Sequence, residues 1–100
     1  MPKKKQYKVK TQVFAYPGMG GWHFASVPKK ESEQIKKDFK DQARGWGSLP
    51  VEVKIGKTQW STSIFPDKKS GTYLLPLKAQ VRKAEGLFDQ DKVAIEIRLV

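Results

Sequence analysis

Four stretches of this 100-residue chain alternate apolar and polar residues with a period of two, and no other feature restricts its fold as much. Tyr7, Val9, Thr11, Val13 and Ala15 alternate with Lys8, Lys10, Gln12 and Phe14, and Val51, Val53 and Ile55 alternate with Glu52 and Lys54. Trp60, Thr62 and Ile64 alternate with Ser61 and Ser63, and Val93, Ile95, Ile97 and Leu99 alternate with Ala94, Glu96 and Arg98. Successive side chains of a strand point to opposite faces, so each stretch reads as a strand with one face on a core and one in water.

Turn formers punctuate these runs. Pro17-Gly18 stops the first strand, and residues 22–27 read as a second strand after a turn rich in Gly18, Gly20 and Gly21. Gly56-Lys57 separates two alternating runs and predicts a β-hairpin. Residues 66–71 are dense in turn formers, and residues 72–75 make a short strand ended by Pro76, which lacks a ladder N–H. Residues 31–42 form a short surface helix whose large apolar residues, Ile35 and Phe39, are four apart. Residues 78–85 form a second helix with Gly86 where a C-terminal cap belongs. Gly45 and Gly47 flank Trp46 in a loop. The fold expected is mainly β: a small six-stranded barrel with two short helices, residues 7–100 forming one domain behind a basic tail of residues 1–6.

Composition narrows the chemistry. Without cysteine there is no disulfide framework, thiolate metal site or Cys nucleophile. The first ten residues are too charged for a secretory signal, and no apolar run approaches the roughly 18 residues of a membrane helix, so a cytoplasmic protein without membrane contact is expected. Lys and Arg number 20 against 10 acids, a net charge of +10, and half the excess lies in residues 1–10 as Lys3, Lys4, Lys5, Lys8 and Lys10. Such a charge attracts phosphate-rich partners without sequence preference and also serves solubility.

Several segments resemble a known family: Tyr16-Pro17-Gly18 with Gly21-Trp22-His23-Phe24 and Val27-Pro28; Arg44-Gly45-Trp46-Gly47 with Val51-Glu52-Val53; residues 60–66; and residues 71–79 with Val81-Arg82-Lys83-Ala84. Together they look like a member of the domain of unknown function 1905 family, over nearly the whole chain. The resemblance implies a double-split β-barrel, distantly similar to AbrB-like regulators and MazE-like antitoxins, with no activity attached. One departure bears on the tightness of a turn: this chain has Gln90-Asp91 where a Gly-Asp pair is usual before the final strand. The regulators bind DNA as two interleaved chains, whereas six strands can close a barrel in one chain, so a monomer is expected and DNA binding is not carried across on fold alone. Family members can carry a second domain after this one, and a function placed there is not expected of these 100 residues.

Candidate site residues fall into two sets. For a ligand site they are Trp22, His23, Arg44, Trp46, Trp60 and Arg82, with the Gly-flanked Trp46 beside Arg44 offering an aromatic face and a guanidinium to an anionic ring. The competing role for the three tryptophans is core packing. His23, the only histidine, reads as a packed or surface imidazole, since no metal-ligand spacing surrounds it. For nucleic-acid or other anion contact they are Lys3, Lys4, Lys5, Lys8, Lys10, Lys78 and Lys83, against the ordinary role of a solvated face. No nucleophile elbow or phosphate loop is present. The expected function is a non-enzymatic binding module for an anionic ligand, nucleic acid or small molecule, with no cofactor or metal. The alternatives are an adaptor that pairs a strand edge with a protein partner, and an enzyme using His23.

Overall fold

The computed structural model describes residues 6–15, 22–39 and 47–99. The elements in order are β1 (Gln6–Ala15), β2 (His23–Ser26), α1 (Lys29–Phe39), β3 (Leu49–Ile55), β4 (Thr58–Asp67), β5 (Thr72–Pro76), α2 (Ala79–Glu85) and β6 (Lys92–Leu99). The strands close into one barrel in the order β1-β2-β5-β4-β3-β6, with every neighbouring pair antiparallel. The mainly β, six-stranded barrel with two short helices is the architecture expected from the alternation.

Two long strands make the closure possible, because each serves two sheets. β1 pairs with β6 from Gln6 to Gln12 and then with β2 from Val13 to Ala15. β4 pairs with β3 from Thr58 to Ile64 and then with β5 from Phe65 to Asp67. Inward-facing Val9, Val13, Val51, Val53, Ile64, Leu75, Ile95 and Ile97 form the middle of a single core. Ala15, at the end of the β1 alternation, is exposed because β1 has by then run past the core to pair with His23.

The helix expected over residues 31–42 begins at Lys29, because the Pro28 carbonyl already accepts the Ser32 N–H at 2.8 Å; residues 40–42 lie outside the described residues. It is more than a surface helix, since Ile35 and Phe39 belong to the core. The buried Ser32 docks it: its Oγ donates to the Val27 carbonyl at 2.9 Å and accepts from the Tyr73 N–H at 3.0 Å. Tyr7 of β1 donates its hydroxyl to Asp38 at 3.3 Å. Burial first, and then the neighbouring carboxylate, push its phenol pKa up to about 12.

Other boundaries also shift. Gln6, placed in the tail by sequence, opens β1, and β2 starts at His23 rather than Trp22. β4 runs through Pro66, which sequence assigned to a turn; by then β4 has left β3, so the missing proline N–H falls on an edge where it is tolerated. Lys78 sits at the N-cap rather than inside α2, and Gly86 ends the helix in the left-handed region as its position predicts.

The Gln90-Asp91 turn is tight despite lacking glycine. Gln90 adopts φ +72°, the Asp91 N–H donates to the Phe88 carbonyl at 3.0 Å, and the Asp91 carboxylate accepts the Phe88 N–H at 2.8 Å. The exposed Gln90 side chain takes no part in that geometry. A left-handed non-glycine residue costs about 1–2 kcal/mol, and glycine returns roughly 0.4–1 kcal/mol of that as unfolded-chain entropy. Gln90→Gly is therefore expected to raise stability in urea by about 0.5–1 kcal/mol, and an unchanged or lower midpoint contradicts this account of the strain.

Candidate ligand-binding groove

The seam between β4 and β5 is where the barrel opens. Their ladder covers only Phe65 to Asp67, while β4 upstream of Phe65 stays with β3 and β5 stays with β2. The chain leaving β5 turns into α2, whose Val81 packs into the core beside Leu77. Between β4 on one side and the start of α2 on the other lies a groove of about 790 Å³.

Two hydrogen bonds to one residue fix the far wall. The Leu77 N–H donates to the His23 carbonyl at 2.9 Å, which brings the start of β2 against the β5–α2 connection. The Leu77 carbonyl accepts from Arg82 Nε at 3.1 Å, which holds the guanidinium at the groove. Arg82 stands at the middle of the seven-residue α2, and its side chain reaches back five residues to Leu77, ahead of the helix.

The walls are aromatic. Trp22 is 53% exposed and Phe65 42% exposed, while Trp60 is half-buried with one side on the core. Trp22 stacks on Phe24 with centroids 6.0 Å apart and planes 16° apart, and Phe24 meets Phe14 across the β1–β2 ladder at 6.0 Å. That row orients Trp22 at the groove's end. Ser61, Thr62 and Ser63 supply hydroxyls, and Lys78 with Arg82 supplies positive charge. Among the described residues no carboxylate lines the groove.

Of the ligand-site residues named from sequence, Trp22, His23, Trp60 and Arg82 come from four different elements or connections to this one groove, and Lys78, named for anion contact, joins them. Arg44 and Trp46 lie outside the described residues. Lys83 is exposed on α2 but does not line the groove. Lys8 and Lys10 are exposed on the outer face of β1, away from it, and Lys3, Lys4 and Lys5 lie outside the described residues. Phe65 and residues 61–63 were not singled out as site residues, because in sequence Thr62 reads as part of the inner face of a strand with Trp60 and Ile64, and Ser61 and Ser63 as its wet face; the parting of β4 from β5 makes them a wall.

Among the described residues no three His, Asp or Glu side chains come together as a metal site, and no helix is long and apolar enough to cross a membrane. No curated protein matches the chain. The family model described as Domain of unknown function (DUF1905) matches residues 10–97, which takes in β1 from Lys10 onward, all of β4, both helices and every described residue of the groove. With that match across nearly its whole length, the chain belongs to the DUF1905 family.

Proposed function

We propose that this protein is a non-enzymatic binding module whose groove takes a small anionic ligand with a planar apolar body. One observation carries the reading: three partly exposed aromatic side chains, Trp22, Trp60 and Phe65, face a cleft of about 790 Å³ that also holds Arg82 and Lys78 and, among the described residues, no acid. Ligand sites have volumes of roughly 300–1,000 Å³, mostly apolar walls and a few placed polar groups. A ring stacked on the aromatics would direct its carboxylate or phosphate toward the guanidinium, which forms charge-assisted bonds to either.

The test is a titration of tryptophan fluorescence with an aryl carboxylate, a mononucleotide and the uncharged aryl amide. Saturable quenching by an anion and not by the amide is expected, with affinity about tenfold weaker in Arg82→Gln, since a charge-assisted hydrogen bond contributes roughly 1.5–3 kcal/mol. Lys78→Gln, which leaves the Leu77 contact untouched, is expected to weaken binding in the same direction. Equal binding of the amide, or anion affinity indifferent to both substitutions, overturns the reading. The strand-edge alternative has its own signature, a peptide that protects β4 amides from exchange irrespective of ligand charge.

A further inference from the structure

The opposite side of the barrel carries a different surface. On the outer face of the β1–β6–β3 sheet, the ladders place Lys10 beside Ala94, Lys8 beside Glu96, and Glu96 in turn beside Lys54, while Lys92 sits opposite Gln12. Among the described residues five cations, Lys8, Lys10, Lys54, Lys92 and Arg98, share this face with two acids, Glu52 and Glu96. Arg98 is spent on Glu52, its cross-strand neighbour. Lys8 reaches Glu96 only at 3.8 Å. Lys10, Lys54 and Lys92 form no ion pair among the described residues.

The face is also shaped. Two shallow depressions of about 390 and 470 Å³ meet at Lys10 and Ala94, because the small Ala94 side chain forms their common floor. The first also takes in Lys8 and Lys54, and the second Lys92. Same-face residues two apart on a strand lie about 6.6 Å apart, and Lys8 and Lys54, separated by β6, have backbones about 10 Å apart. That is a two-dimensional array of ammonium groups at spacings comparable to those between phosphates of a nucleic-acid strand. Like charges held together repel, and a bound polyanion is what relieves that repulsion.

We infer that this face is a second binding site, independent of the groove, that docks the phosphate backbone of a nucleic acid through Lys8, Lys10, Lys54 and Lys92. The concavity suits a convex backbone better than a planar lipid surface, and among the described residues the face shows no exposed aromatic to enter a bilayer. Lysines bind phosphate as point charges, so the docking carries no base preference.

The test is fluorescence anisotropy of a labelled random-sequence duplex, and of a single strand of the same length, titrated from about 50 to 200 mM salt. The full chain is compared with Lys8→Gln/Lys10→Gln/Lys54→Gln/Lys92→Gln and with a control of equal charge change on α1, Lys29→Gln/Lys30→Gln/Lys36→Gln/Lys37→Gln. The sheet variant is expected to lose at least about 30-fold in affinity at low salt, and its slope of log affinity against log salt is expected to flatten by about 3–4 for duplex, close to 0.9 per lost contact. Duplex and single strand tell which backbone the face prefers, and either satisfies the inference. Equal losses in the two variants mean that net charge alone attracts the nucleic acid, and overturn it. An unchanged slope, or tighter binding to phosphatidylserine vesicles than to either nucleic acid, overturns it as well. Groove-ligand quenching is expected to persist in the sheet variant, so failure here and failure of the groove reading are separable.

Discussion

Replacing Ser32 by alanine is expected to lower the free energy of unfolding by roughly 2–6 kcal/mol, out of all proportion to the loss of one oxygen atom. The hydroxyl is almost wholly buried and spends both its capacities, donating to the Val27 carbonyl and accepting from the Tyr73 N–H. Alanine leaves two backbone groups buried without a partner, and each such group costs about 1–3 kcal/mol. The three segments joined are the residue after β2, the first turn of α1 and the start of β5, so the same change is expected to loosen the helix from the barrel. Urea denaturation measures the cost, and amide exchange at Tyr73 locates it. A loss below about 1 kcal/mol, or a Tyr73 amide as protected as before, shows that the junction is satisfied without Ser32.

The second large effect is expected at the β3–β4 hairpin. Gly56 is the first of two residues between paired Ile55 and Thr58, and it holds φ +57°, which favours glycine at that place in a two-residue turn. A side chain there meets the Glu85 carboxylate, which itself accepts a hydrogen bond from Thr58 Oγ1 at 2.6 Å and so ties the hairpin to the end of α2. Gly56→Ala pays for the left-handed backbone and pushes Glu85 off Thr58, together roughly 2–3 kcal/mol. In a Glu85→Ala background the second cost is already gone, so Gly56→Ala is expected to cost only about 1–2 kcal/mol more. Identical costs in the two backgrounds contradict the coupling.

How much of this was legible in sequence depends on whether local chemistry or long-range register decides a feature. The alternation of β1, β3 and β6, the Gly56-Lys57 hairpin and the Gly86 cap are local, and each stands where the residues place it. Ser32 was invisible, because a serine in a charged helix looks solvent-facing until β5 arrives above it. The groove was half-legible: Trp22, His23, Trp60 and Arg82 attracted attention singly, but the focus fell on Arg44 and Trp46, outside the described residues, and nothing local says that Leu77 bridges His23 to Arg82. Lys54 and Lys92 went unnoticed for the same reason, since it is β6, threaded between β1 and β3, that gathers lysines far apart in the chain onto one face.

That threading also sets the order in which the molecule can be assembled. The ladder that seals the barrel pairs Gln6 with Arg98, so β1, synthesised well before β6, has to wait for it before its longer partner exists. Until then the upstream half of β1 is an open template for any extended segment nearby. Contacts of such sequence separation slow folding, because the whole intervening loop must be closed before they return any energy. The lysines at positions 8 and 10 stand on that waiting strand, where their mutual repulsion between chains discourages edge-to-edge pairing. The charge that gives the finished surface its character thus also guards the nascent chain.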